Sequence, residues 1–291
     1  MRYLIPLIII ILITSSCRKL VQDKFDDFEK KATINSFLTA DSVLQIHLSE
    51  TGAIGEGGIK YIENADVNIY INNLSIKLDY LGEGKYYSNT IVKPNAHYLC
   101  EIIINNESVT ASCYIPAKPI LNSVEVTEDA WLNENGELSP AVRFELQNSP
   151  NDSLYFEAFM TVLTEKVENA VFDTITWEII SSDTIYYIEG SYSIGLFSNI
   201  EENANTITKN IAFTLTSYSF PKPVYLYVFE MRALSKSAYK YMQSMELYNL
   251  GANPEFGSAT PPPYNLYSNV NNGYGIFGGY SATVADTITG N

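Results

Sequence analysis

Residues 65–80 read ADVNIYINNLSIKLDY, and this stretch indicates the fold class. Apolar and more polar side chains alternate over Ala65–Ile71, which is the period of a half-buried β-strand. Asn72-Asn73 tolerates the positive φ that a tight hairpin turn needs, and Leu74–Tyr80 returns as a second strand. The stretch therefore predicts a β-hairpin.

Similar strand pairs lie on both sides of this hairpin. Thr33–Leu38 precedes Val43–Leu48, and Tyr98–Ile104 precedes Glu107–Ile115 across Asn105-Asn106. Short strands every eight to twelve residues, separated by Gly and Asn turns, are typical of sandwiches. We predict a mainly all-β protein whose residues 31–117 form a β-sandwich, closed by the rigid segment Pro116–Pro119.

A second β-rich domain is predicted over residues 118–291, because short aromatic and β-branched segments continue there. The period changes after Met231, where an amphipathic helix is predicted over about residues 236–250. Ser235 or Ser237 can cap this helix, and Gly251 can end it. Its apolar face consists of Ala238, Tyr241, Met242, Met245 and Tyr248.

The tail from Asn253 to Asn291 is rich in Pro, Tyr and Gly. We expect Tyr264–Val270 to be a short edge strand and Gly275–Tyr280 to be a glycine-rich strand. Glycine inside a strand indicates a bulge or the close approach of another backbone.

Residues 1–16 have the form of a secretory signal. Roughly ten apolar residues follow Met1-Arg2-Tyr3, which is about half of what a membrane-spanning helix needs. Small residues before Cys17 resemble a bacterial lipobox, so Cys17 is predicted to become a lipidated N-terminus that is anchored to a membrane. Residues 17–30 would then be its tether; the alternative is a secreted protein that is cleaved nearby.

Charge and composition limit the possible partners. The net charge is −15, which disfavours nucleic acid because a phosphate backbone requires a basic surface. With only two histidines and no HExxH, GxSxG or CxxC motif, we predict no metal, no cofactor and no enzymatic activity. A glycosidase-type carboxylate pair stays open, since no two acidic residues stand out.

Cys100 and Cys113 lie in the predicted hairpin around Asn105-Asn106. A four-residue loop places them directly opposite each other, whereas a two-residue loop makes them diagonal neighbours on one face. An exported protein permits a disulfide between them. Two buried free thiols are the alternative.

Exposed aromatic side chains are candidate binding groups, because they provide a large contact area at low entropic cost. Core packing is the alternative role for each of them. The candidates are Trp131, Trp177, Tyr264, Tyr267, Tyr274 and Tyr280.

Several motifs together resemble a Bacteroidota lipoprotein family known as domain of unknown function 4249. The motifs are Ala65–Val67, Gly84–Tyr87, Ile115-Pro116, Ser237–Ser244, Asn253–Phe256 and Tyr267–Tyr280. The resemblance implies that the sandwich of residues 31–117 is immunoglobulin-like. It also implies an outer-membrane lipoprotein, often encoded near TonB-dependent receptors, and it implies no catalytic residue.

Three functions are compatible with these observations. The first is an accessory or binding subunit of a TonB-dependent uptake system, with the receptor as partner. The second is a surface adhesin or stand-alone ligand-binding lipoprotein, and the third is a periplasm-facing assembly factor. The sequence leaves open whether the protein faces the cell surface or the periplasm.

Overall fold

Twenty-one β-strands and one α-helix make up the part of the chain that the computed structural model describes. That part comprises residues 29–52, 57–72, 74–132, 138–165, 172–176, 178–180, 186–187, 194–200, 202–214, 224–252, 264–285 and 288–289. The predicted all-β class is confirmed. The predicted signal peptide, Cys17 and the tether up to residue 28 lie outside the described residues. Among the described helical residues, no segment is long and apolar enough to cross a membrane.

Several of the first nine strands alternate buried and exposed side chains, as their sequences predict. In the second strand, Leu44, Ile46 and Leu48 are buried, whereas Val43 and Gln45 are exposed. The nine strands are β1 (Ala32–Thr39), β2 (Val43–Glu50), β3 (Lys60–Tyr61), β4 (Asp66–Ile71), β5 (Leu74–Lys77), β6 (Asp79–Gly82), β7 (Lys85–Ile91), β8 (Ala96–Ile104) and β9 (Glu107–Ile115).

These nine strands form two sheets that enclose one hydrophobic core, which we call the N-terminal core. Strands β1, β2, β3, β6 and β7 belong to one sheet, and β4, β5, β8 and β9 belong to the other. Ile34 and Leu48 of the first sheet meet Ile69 and Ile102 of the second, and all four are fully buried. A two-sheet sandwich is therefore present; its immunoglobulin-like character stays a prediction.

The strand predicted over Leu74–Tyr80 is instead two strands in different sheets. Strand β5 pairs with β4, whereas β6 pairs with β7 in the facing sheet. Leu78 lies between them and is buried in the N-terminal core, so the chain crosses from one sheet to the other at this residue. The sequence pattern does not reveal this crossing, because apolar and polar residues alternate in the same way before and after Leu78.

Strands of the second half form a second sandwich around a separate core, the C-terminal core. Phe144 of the smaller sheet meets Phe229 of the larger one, with 5.3 Å between ring centroids. The strands are β10 (Leu121–Leu132), β11 (Leu138–Gln147), β12 (Tyr155–Glu165), β13 (Phe172–Thr176), β14 (Glu178–Ile180), β15 (Tyr186–Tyr187), β16 (Ile194–Ser198), β17 (Thr206–Thr214) and β18 (Val224–Leu234).

The tail joins the two halves. Strand β19 (Val270–Asn271) pairs with β9, β20 (Tyr274–Val284) lies between β1 and β18, and β21 (Ile288–Thr289) pairs with β18. Strand β20 runs parallel to β1 and antiparallel to β18. The result is one twelve-stranded sheet in which β20 connects strands of both sandwiches.

Glycines allow β20 to lie against its neighbours. A Cβ atom at Gly275 would collide with the carbonyl oxygen of Ile34, and one at Gly279 would collide with that of Leu38. The predicted close approach of another backbone is therefore confirmed. The predicted edge strand Tyr264–Val270 is wrong in extent, because only Val270 and Asn271 pair as a strand there.

Helix α1 (Lys236–Ala252) packs on the twelve-stranded sheet. Its predicted cap is confirmed at Ser235, whose Oγ accepts a hydrogen bond from the Ala238 backbone N–H at 3.1 Å. Two expectations are wrong: Gly251 lies within the helix, and Tyr248 is 46% exposed. Among the described side chains of the helix, the buried ones lie in its first turn, at residues 237–239.

The described residues from Lys31 onward form one compact unit. Phe277 of β20 points into the N-terminal core, whereas Ala238 of α1 packs against the neighbouring Gly278. Since successive strand residues face opposite sides, the N-terminal core and α1 lie on opposite faces of the large sheet. The predicted division into two domains at residue 117 stays a prediction.

Candidate functional site: an aromatic cleft beside the Pro116–Pro119 connection

A cleft opens where the chain passes from β9 to β10. One cavity of about 490 Å³ is lined by five segments: the start of β8, the end of β9 with Pro116, the chain from Ser153 into β12, the end of β18 with the start of α1, and Tyr267 with Asn269 of the tail. Its size is within the range of sites for small molecules. Segments from across the whole sequence thus meet at one cavity.

Aromatic side chains form much of the cleft wall. The rings of His97 and Tyr114 lie 4.7 Å apart, and Tyr114 is 39% exposed. On the other side, Tyr155 packs against Tyr239 of α1 at 4.8 Å. Tyr267 adds a third tyrosine to the lining. The wall therefore offers ring surface to a bound group.

Hydroxyl and amide groups of the wall already have partners within the protein. Ser235 Oγ accepts hydrogen bonds from the N–H groups of Ala238 and Gly279, and Ser237 donates to the Phe277 carbonyl. Asn269 donates to Ser112 and Phe277 carbonyls and accepts from the Phe277 N–H. These groups hold the tail and α1 in place.

A second cavity of about 520 Å³ adjoins the first and is lined by residues 116–120 and the loop after β11. Asn199 anchors that loop by donating to Asn148 Oδ1 at 2.8 Å and by accepting from the Leu154 N–H at 2.8 Å. Asn148 in turn donates to the carbonyls of Glu202 and Ala204. Two buried asparagines therefore give this side of the cleft a defined shape.

The two described cysteines are buried free thiols. Cys100 pairs with Ala111 and Tyr98 pairs with Cys113, so the two-residue turn is present and the cysteines are diagonal neighbours. Burial raises the pKa of the Cys100 thiol to about 12 and that of Cys113 further still. Cys113 lines the cleft as a neutral thiol. No bond joins it to Cys100 in the structure, which therefore has the alternative arrangement of two buried free thiols.

A family model described as "Domain of unknown function (DUF4249)" matches residues 18–285. The chain belongs to this family. Among curated proteins, none matches the sequence.

Two solved structures show a distant likeness to the chain. One is a Corynebacterium diphtheriae protein provisionally named as membrane anchored: it is 9% identical, with a TM-score of 0.21, and the match covers 73% of this chain and 56% of that one. The other is the BSP domain of a biofilm associated protein, at 7% identity and a TM-score of 0.21, with 87% and 58% covered.

The six predicted binding aromatics do not form one cluster. Tyr267 lines the cleft, whereas Tyr274 lies six residues before Tyr280 on β20, about 20 Å away along the strand. Tyr264 is 38% exposed in the segment before β19. Trp177 and the side chain of Trp131 lie outside the described residues.

Tyr280 belongs to a buried ionic cluster rather than to the cleft. The Arg232 guanidinium lies between the rings of Phe159 and Tyr280, at 4.7 and 4.8 Å, and donates to Glu157 and Glu230. Burial raises the pKa of the Glu157 carboxyl, against the opposing effect of Arg232. Such a sandwiched arginine ties β12, β18 and β20 together.

Sequence reasoning missed the principal groups of the cleft: His97, Tyr114, Tyr155 and Lys236. One signal was available: Cys113 and Ile115 face the core, so strand alternation turns Tyr114 outward, two residues before rigid Pro116. Within the described residues, no group of three or more His, Cys, Asp or Glu side chains is placed to hold a metal ion.

Proposed function

We propose that this protein is an outer-membrane lipoprotein, anchored through acylated Cys17, which acts as a non-catalytic binding subunit of a TonB-dependent uptake system. The binding role is supported above all by the aromatic cleft of about 490 Å³. The proposed receptor partner is supported by membership of the family, since the resemblance implies a lipoprotein that is often encoded near such receptors. The proposed location is supported by the signal at residues 1–17.

Binding, rather than chemistry, suits the side chains of the cleft. The Cys113 thiol is neutral because burial raises its pKa, so it is a poor nucleophile. The serine hydroxyls of the α1 start are engaged in structural hydrogen bonds. The His97 ring lies against that of Tyr114, tilted by 44°, and adds to the aromatic surface of the cleft.

The test is purification of the tagged, full-length protein from its native outer membrane in mild detergent, with mass spectrometry of the material that comes with it. A TonB-dependent receptor in roughly stoichiometric amount is expected. Recovery of the protein alone would instead support the adhesin or stand-alone binder. Protection of the protein from external protease, with no receptor recovered, would support the assembly factor.

The membrane anchor has its own test. Substituting Cys17→Ala removes the acceptor for the lipid, so the variant should leave the membrane fraction. A variant that stays bound to membranes would contradict the anchor. Cys100→Ala is the matched control, because it changes a buried cysteine of the folded body and should stay with the membranes.

A further inference from the structure

The ligand of the cleft can be narrowed from its lining, an inference that rests on the proposed binding role. We propose that the cleft takes an extended peptide segment that carries apolar side chains at alternate positions and one carboxylate, which pairs with Lys236. Three observations lead to this ligand: the shape of the cleft, its hydrogen-bonding state and its charge.

The cleft has two adjoining cavities of similar size, about 490 and about 520 Å³. Tyr114, Pro116, Leu154 and Ala233 line both of them, so they are separated by a shared ridge. In an extended chain, side chains at i and i+2 point the same way and lie about 6.8 Å apart. A peptide laid across the ridge can therefore place one side chain in each cavity.

Several hydrogen-bonding groups of the cleft wall are already occupied within the protein. Ser235, Ser237 and Asn269 use their side chains within the protein, and Tyr114 donates to Asn95. A sugar ring carries several hydroxyls, and burying a hydroxyl without a partner costs about 1–3 kcal/mol. Apolar side chains incur no such cost inside the two cavities, and a peptide backbone that lies across the ridge outside them can keep its hydrogen bonds to water. This favours a peptide over a saccharide.

The charged groups of the cleft favour an acidic ligand. Lys118 pairs with Asp41, and Asp152 accepts a hydrogen bond from Ser149. Lys236 is exposed at the first cavity, and it has no ion pair among the described residues. An ammonium group that has no ion pair within the described part of the chain, in a protein of net charge −15, is a specific position for a ligand carboxylate.

The experiment selects ligands from a displayed library of random linear decapeptides on the full-length, lipidated protein in nanodiscs. Peptides are counted as cleft ligands only when Tyr114→Ala weakens their binding at least about tenfold. We expect these peptides to share an acidic residue and two aromatic or aliphatic residues at alternate positions.

Lys236→Gln should weaken the binding of the acidic peptides about five- to tenfold. On this variant the acidic peptides should bind no more tightly than versions that carry Asn or Gln in place of the acidic residue. Lys77→Gln is the matched control, since Lys77 is an exposed lysine on β5 that pairs with Asp66. This control should change binding less than about twofold.

Two outcomes would overturn the inference: no peptide that depends on Tyr114, or peptides that bind Lys236→Gln as tightly as the native protein. A parallel glycan array separates this failure from failure of the proposed function. Tyr114-dependent glycan binding would replace the peptide with a saccharide and leave the binding role intact. If no receptor is recovered with the protein in the outer-membrane purification described above, the uptake role is refuted whatever the cleft binds.

Discussion

The β8–β9 hairpin and strand β20 both contribute to the N-terminal core, but they are specified in different ways. The hairpin pairs neighbours in sequence across Asn105-Asn106, and both turn residues have the positive φ that Asn tolerates. Strand β20 pairs with β1, about 240 residues away, and depends on glycines that make room for it. The first arrangement is local and tolerant, whereas the second is distant and sterically exacting.

The largest expected effect comes from closing the space beside β20. In Gly279→Ala the new methyl group would meet the Leu38 carbonyl and the Ile115 side chain. Because backbone cannot move aside cheaply, we expect a loss of at least about 3 kcal/mol in the free energy of unfolding. Denaturant titration of the full-length protein measures this.

Gly57→Ala is the control for that substitution, since no heavy atom lies within 4 Å of its added methyl group. It should leave the free energy of unfolding unchanged to within about 0.5 kcal/mol. Equal losses at residues 57 and 279 would show that the tight packing around β20 is not what makes Gly279 necessary.

A smaller loss is expected at the junction of α1 with β20. Ser235→Ala removes the cap of the helix and also the acceptor of the Gly279 N–H. We expect about 2 kcal/mol of destabilisation, since two buried donors lose their partner. Denaturant titration measures the loss, and Ser123→Ala on the exposed surface of β10 should have almost no effect in the same assay. A loss below about 0.5 kcal/mol at Ser235 would contradict the role of this contact.

The local hairpin should be less sensitive. Asn106 has a φ of 68°, so the β-branched Asn106→Val is strained there and should cost about 1 kcal/mol, measured by denaturant titration. Asn106→Gly, which accepts the same φ freely, should show no loss. If Asn106→Val destabilised the protein more than Gly279→Ala, the contrast between the hairpin and β20 would be reversed.

The smallest expected effect on the free energy of unfolding near neutral pH comes from the buried Cys100 thiol, which acts only at alkaline pH. An unfolded cysteine has a pKa of about 8.5, and burial raises that of Cys100 to about 12. The stability that the neutral thiol contributes is therefore complete below about pH 8.5 and is lost as the pH rises toward 12. Denaturation curves collected across this alkaline range should show a decline that is shallower in Cys100→Ala.

Thiol reactivity distinguishes free cysteines from the predicted disulfide. At about pH 8.5 a thiol reagent should not label the native protein, because Cys100 and Cys113 are buried and neutral. After unfolding in guanidinium, both should react. Unfolded protein that still shows no reaction would mean that the two are bonded, and rapid labelling of native protein would mean that they are accessible.

Much of the fold was accessible from sequence because it depends on local rules. Alternation located the hairpins, and a change of period located α1 with its cap at Ser235. The glycines of β20 indicate a bulge or the close approach of another backbone, but the sequence does not identify that backbone as β1. Pairing between distant strands depends on how whole sheets assemble, and that information is spread over both partners.

The candidate site was less accessible for the same reason. Tyr267 was identified as a binding aromatic, and it does line the cleft. His97 and Tyr155 belong to different strands and became neighbours of one cavity only after the two halves were joined. Neither residue belongs to a recognisable sequence motif, so the sequence does not mark either of them as part of a site.

The position of β20 near the end of the chain also affects the order of folding. The edge of β1 that β20 covers stays open until residues 274–284 have been synthesised and have arrived. Because contacts between distant residues form late, completion of the large sheet should be slow compared with formation of the β8–β9 hairpin. Until that moment the nascent chain presents an unpaired strand edge, which is the kind of surface that chaperones shield from aggregation.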